Sequence, residues 1–219
     1  RDYTWRATVI PTEATVPLRF TLGAVGPVLD QGDTPQCVCY TSASVKLHEE
    51  WRDHLHYYAF DPGWLYTQCK KIDGIPGDGT IYRAALDVML KTGMRAVVSG
   101  QERFYKIGSY VRCTSIQQIK EAIFIGDGVV GLGLDIDMSW AGPHVSDGII
   151  DPPTNDPIGG HEISAVGWDD SVAGGSFRIK NSWGPTWGDN GFAYLPYRHL
   201  SAYPDWDAWK ALDALPPLI

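Results

Sequence analysis

The chain has no long apolar run. No window approaches the roughly 18 uncharged apolar residues that a membrane span requires, so no membrane association is expected. Basic charge is also short. Lys and Arg number 18 against 26 Asp and Glu, giving a formal charge of −8, and no Lys/Arg cluster offsets that balance. A basic face is what binds a phosphate backbone, so nucleic acid is excluded as an expected partner. Cysteine is sparse: Cys37, Cys39, Cys69 and Cys113 in 219 residues. A chain of this size can bury a core that does not depend on disulfides. The Cys-x-Cys pair is shorter than the usual zinc half-site. Neither a metal nor another cofactor is expected. The sequence starts at Arg1 with neither an initiator Met nor a signal peptide, which reads as a processed or trimmed chain.

Aromatic residues, by contrast, are plentiful, with nine Trp and eleven Tyr. Two of the tryptophans fall in Ile179-Lys180-Asn181-Ser182-Trp183-Gly184-Pro185-Thr186-Trp187-Gly188-Asp189-Asn190-Gly191, beside strand-like sequence. A surface loop has little use for two indoles. A site that holds a polar side chain away from water does.

Hydrophobic spacing divides the chain. Residues 1–20 read as an extended arm. Spacings of three and four from Cys37 through Tyr40, Ala43, Ser44 and Leu47 predict a helix from about residue 36 to 54. A short helix is expected over 62–70, then a Gly-rich loop over 73–80. A helix over 81–92 follows, capped by Thr80 and stopped by Gly93. Ser115 opens another helix over 116–125. Strands are expected at 129–136, 163–168, 176–180 and 191–195. Trp206, Trp209, Leu212 and Leu215 lie at helical spacing and predict a short C-terminal helix. The chain is thus α+β. One large domain or two small lobes fit its length, with a mainly helical first half, a small antiparallel β second half and a boundary near residues 108–118. A tail, 201–219, packs on the body.

Cys37 is the candidate nucleophile, because the first turn of a long helix offers unpaired N–H groups and a dipole that favour a thiolate. Cys39 lies about 200° further round that helix and reads as core or disulfide-bonded. His48, His54 and His56 stand in charged sequence and read as surface residues. His161 follows Gly159-Gly160 and opens a buried strand, a rigid edge for a base. His144 is its competitor, on a loop with no strand to fix it. A third group must set the tautomer of such a base. Asn181 ends a strand and Trp183 can cover it.

Three segments together resemble the papain-like cysteine peptidases: Gln31-Gly32 with Cys37 following, Gly160-His161-Glu162-Ile163-Ser164-Ala165-Val166-Gly167-Trp168, and Lys180-Asn181-Ser182-Trp183-Gly184 running on to Trp187-Gly188-Asp189-Asn190-Gly191. The likeness spans roughly residues 25–197. It implies a single domain, 1–219, of two lobes, a helical left lobe over about 25–115 and an antiparallel β-barrel-like right lobe over about 1–24 and 116–200, with the cleft between them. It implies Cys37 as nucleophile, His161 as base and then acid, Asn181 as its orienter and Trp183 as the shield. Gln31 would share the oxyanion with the Cys37 N–H, and the resting pair would be thiolate and imidazolium. Gly79, Thr80, Gly160 and Glu162 would line the substrate cleft.

Departures from the family pattern are informative. Its usual Cys-Gly-Ser-Cys-Trp becomes Thr34-Pro35-Gln36-Cys37-Val38, and its Gly-Cys-Asn-Gly-Gly loop becomes Gly77-Asp78-Gly79-Thr80. One disulfide is therefore missing at both ends, as in a bacterial or viral branch. The resemblance leaves Cys69 with Cys113 as the remaining disulfide. The residue after the histidine, commonly small, is Glu162, which would favour a basic or polar side chain two residues before the scissile bond if it faces that pocket. The family also implies a peptide or protein substrate, an inhibitory propeptide, a monomer and an extracytoplasmic location. Alternatives are a transferase, isopeptidase or cell-wall peptide hydrolase, and a non-catalytic binding or storage protein on the same fold.

Overall fold

The computed structural model describes residues 15–213. Most of the expected N-terminal arm, and Leu215, lie outside them. A short strand, β1 (Arg19–Thr21), leads into a loop and then into helix α1 (Cys37–His54). Asp61 opens α2 (Pro62–Cys69) by accepting the Trp64 N–H at 2.8 Å, with Pro62 at the first helical position. Helix α3 (Tyr82–Lys91) starts after Ile81, and no side chain caps it, so Thr80 does not take the expected role. Gly93 ends α3 with a φ of +96°. A β-carbon there would meet the backbone of Tyr105 at 2.9 Å, so only glycine fits the turn.

The next stretch differs from the helical expectation. A hairpin, β2 (Met94–Val98) and β3 (Gln101–Tyr105), is followed by β4 (Ile107–Cys113). Helix α4 (Ile116–Phe124) is opened by Ser115, whose hydroxyl accepts the Gln118 N–H. Such a cap contributes about 1 kcal/mol. The chain then runs through β5 (Val130–Ile136), β6 (Gly159–Asp169), β7 (Ser176–Lys180), β8 (Phe192–Pro196), the single-turn α5 (Arg198–Ala202) and β9 (Asp207–Asp213).

The main sheet is antiparallel in the order β4-β9-β5-β6-β7-β8, with β1 added to β6. This corrects the barrel-like expectation. Closure would require every strand to have two neighbours, but β4 and β8 share no ladder and the sheet stays open. Its curvature comes from β6, which pairs with β5 over Gly159–Ala165 and with β1 over Gly167–Asp169. A register shift between Ala165 and Gly167 bends it there.

The C-terminal helix is also corrected. Residues 207–213 form β9, inserted between β4 and β5. Its buried run, Ala208 to Ala211, is covered on both faces, and such a short run carries no periodicity that separates helix from strand. Buried charge ties α1 to this strand. Lys46 lies 2.8 Å from Glu50, 3.2 Å from Glu49 and 3.3 Å from Asp213. His48 is buried as well, not on the surface. Its Nδ1 lies 2.6 Å from the Ala24 carbonyl and its Nε2 3.2 Å from that of Asp127.

All four cysteines are free, so the implied Cys69–Cys113 disulfide does not form. Cys69 on α2 instead lies beside Cys39 on α1, and both are fully buried. Cys113 is buried at the end of β4.

Candidate active site

Residues 36–38 start α1 without a side-chain cap, so the N–H groups of its first turn are not satisfied by the Gln36 side chain. Cys37 is the first residue of that turn, and it packs partly buried against the core. Thr41, one turn on, donates its hydroxyl to the Glu162 carbonyl at 3.0 Å and fastens β6 against the helix. Cys37, His161 and Glu162 thereby line one cavity of about 290 Å³ between the helical and β lobes.

The loop before α1 is fastened to the segment after β7. Gln31 N–H donates to the Ser182 carbonyl at 2.8 Å, and Gly184 N–H to the Leu29 carbonyl at 3.1 Å. Gln31 is anchored by its side chain too. Its Oε1 accepts the Ser182 hydroxyl at 2.7 Å, and its Nε2 donates to the Thr34 carbonyl at 2.8 Å. An amide has two N–H donors, and one of those of Gln31 is thus engaged; Gln31 is not among the residues that line the cavity.

His161 is almost fully buried and its ring is fixed on three sides. Nε2 lies 2.8 Å from Asn181 Oδ1, which also accepts the Ser182 N–H at 2.8 Å. An amide oxygen only accepts, so Nε2 carries the proton there and Nδ1 is the nitrogen left for chemistry. Trp183 stacks on the imidazole at 4.6 Å with 27° between planes. Trp140 meets its edge at 5.8 Å and 89°. Trp140 in turn stacks on Trp187, which donates its indole N–H to the Trp140 carbonyl at 3.2 Å.

The sequence reading missed Trp140. It sits in a 3-10 turn, Met138–Ala141, held by Asp137, and no motif marks that turn. The competitor His144 is exposed beside Asp147 and Asp151, at 3.7 and 3.8 Å. Gly79, Thr80 and Gly160 do line the cavity. Gly79 is partly engaged already, since its N–H donates to the Tyr66 hydroxyl and its carbonyl accepts from Lys70, both at 3.1 Å. Gly133, Asp205 and Asp207 also line the cavity, and no sequence motif marks them.

Burial acts against charge on either partner alone. It pushes the Cys37 thiol up, helped by the nearby Glu162 carboxyl, while the N–H groups of Glu162, Val38 and Cys37 pull it down. It pushes His161 down to about 4, and only the Asn181 contact opposes. A thiolate and an imidazolium therefore stabilise each other or form not at all: one proton moves from sulfur to imidazole, with no net change in buried charge.

A helix-start thiol that lines one cavity with an amide-oriented imidazole suits acyl transfer through sulfur. The model of the papain family cysteine proteases matches residues 91–201, half of the chain, and the chain belongs to that family. The matched stretch carries His161 and Asn181; Cys37 lies upstream of it. The chain is similar to xylellain, a cysteine protease from Xylella fastidiosa, at 23% identity and a TM-score of 0.81, covering 98% of this chain and 92% of that one. It is also similar to the ragweed pollen cysteine protease Amb a 11 in its proform, at 18% identity and a TM-score of 0.72, covering 93% and 68%. At these identities the likeness is one of fold. An uncharacterized peptidase C1-like protein of Acanthamoeba polyphaga mimivirus is 35% identical over 89 residues, which is 39% of this chain. That match spans only 28% of the viral protein's length.

Proposed function

We propose that this chain is a cysteine peptidase that hydrolyses peptide bonds through a Cys37 acyl-enzyme. The hydrogen bond from His161 to Asn181, under the Trp183 ring, is the observation that carries the reading. It presents Nδ1 of His161 to the cleft that Cys37 also lines.

In this reading Cys37 passes its thiol proton to His161 Nδ1, and the thiolate adds to the scissile carbonyl. Charge grows on the carbonyl oxygen, where the Cys37 N–H and the remaining Gln31 N–H receive it. The Ser182 hydroxyl holds the Gln31 amide in place for that contact. His161 then gives its proton to the leaving amine, and the thioester remains. Water enters, loses a proton to His161 and releases the acid, while the proton returns to sulfur. Asn181 keeps Nε2 protonated throughout, so the working nitrogen does not change.

The substrate is a peptide or protein segment laid along the cavity past Gly79, Thr80 and Gly160. Proforms among the similar structures favour an inhibitory propeptide that covers this cleft before activation. The test is hydrolysis of a mixed peptide library, followed by mass spectrometry with C37A as control. New termini produced by the wild type and absent with C37A support the peptidase. An intact library with a reduced, folded wild type rejects it.

A further inference from the structure

Gly133 lies in the middle of β5, opposite Glu162 of β6 on one side and Asp207 of β9 on the other. Directly opposed residues put their side chains on the same face of a sheet, so two carboxyl groups flank a residue that has no side chain. A β-carbon placed on Gly133 would lie 2.6 Å from Glu162 Oε2 and 2.9 Å from Asp207 Oδ1. The two oxygens thus converge over one point, which is kept open by glycine and forms part of the cavity beside Cys37.

Neither carboxyl has a cationic partner among the described residues. Glu162 is 4% exposed, and its Oε1 is buried without a hydrogen bond. Asp207 is oriented by the Trp209 indole N–H, which donates to Oδ2 at 2.8 Å and leaves Oδ1 toward Gly133. Two exposed acids, Asp205 and Asp135, stand at the same cavity and extend its negative sign. A buried carboxyl without a partner costs stability and persists where a ligand completes it.

We propose that this cavity selects substrates bearing a cationic side chain, arginine or lysine, seated over Gly133 between Glu162 and Asp207. The proposal rests on the peptidase reading and names the substrate class of that same site. A cation there supplies the counter-charge that both carboxyls lack, and guanidinium can donate to both at once. The occupant also matters to the nucleophile. A negative Glu162 opposes the Cys37 thiolate. A Glu162 paired with the substrate's cation no longer does. Burial and the neighbouring Asp207 push the Glu162 carboxyl well above its usual range, and a cation seated beside it opposes that shift.

The experiment compares two fluorogenic dipeptidyl amides that differ only in the residue second from the scissile bond, arginine or its neutral isostere citrulline. The ratio of their kcat/KM values is read. The wild type is expected to favour arginine by at least about tenfold, and E162Q to bring the ratio near one. D207N is a second variant, expected to lower the ratio in the same direction should E162Q not fold. Equal hydrolysis of both amides by the wild type overturns the charged pocket and leaves the peptidase standing. An undiminished arginine preference in folded E162Q or D207N removes that residue from the pocket's role. Hydrolysis of neither amide, together with an intact peptide library, defeats the peptidase reading and this one with it.

Discussion

Trp183 lies flat on the imidazole of His161, with ring centroids 4.6 Å apart, and covers the side on which Asn181 holds Nε2 at 2.8 Å. The contact turns an ordinary hydrogen bond into a sheltered one. Water cannot compete for the Asn181 oxygen, and the ring cannot rotate without losing its stack.

Removal of the orienter has a defined sign. Asn181 is the one contact that raises the His161 pKa against burial. In N181A His161 therefore takes up its proton only at lower pH, and the acid limb of the kcat/KM profile, where that protonation removes the base, moves to lower pH. The loss in kcat/KM is expected to be about 10- to 100-fold. W183A admits water to the ring and relieves the burial that lowers His161, so its limb moves the other way, to higher pH. An unmoved limb in N181A contradicts the orienting role.

Trp140 supports the site from behind. It is 1% exposed and touches both His161 and Trp187. W140A leaves a large cavity and is expected to cost about 3–5 kcal/mol in urea unfolding. W140F keeps an edge against His161 and recovers part of that. Equal unfolding midpoints for wild type and W140A contradict the packing described.

Thiol reactivity tests the cysteine arrangement. Cys39, Cys69 and Cys113 are buried and free, whereas Cys37 is partly exposed. Titration with a thiol reagent should modify Cys37 alone in the native protein and all four cysteines in denaturant, without added reductant. Only two reactive thiols in denaturant would mean that a disulfide exists after all.

Stability should fall in mild acid. His161 takes up a proton near its ordinary 6.5 when unfolded but only near 4 when folded. Between those values the unfolded chain binds more protons, so acid favours unfolding. This contribution is complete above pH 6.5, declines by about 1 kcal/mol per pH unit and is gone below pH 4. Burial lowers His48 and His199 in the same sense. Urea unfolding across this window should show a steeper slope for wild type than for H161A. Identical slopes contradict a buried neutral His161.

The sequence made the site's chemistry legible and left its surroundings obscure. Cys37, His161 and Asn181 announce themselves because each sits at the end of a strongly patterned element, where chain geometry limits what the residue can face. The α1 and α4 boundaries were readable for the same reason. Trp140, Gly133 and Asp207 were not, because their neighbours are set by sheet order. The ladder that puts Asp207 beside Gly133 exists only because β9 inserts between β4 and β5. One ion pair from α1, Lys46 with Asp213, reaches that strand, and a helix rich in charge gives no sign of it. Sheet closure was unreadable in the same way. It depends on whether the outermost strands meet, and no local pattern records that.

The central claim is that Cys37 is a nucleophile activated by His161. It is tested most directly by treating the reduced protein with an epoxide-type thiol inhibitor and locating the adduct by mass spectrometry. The account predicts a single adduct on Cys37 that is absent from C37A and formed much more slowly in H161A. An unoxidised Cys37 that stays unlabelled, or one labelled equally fast without His161, contradicts it.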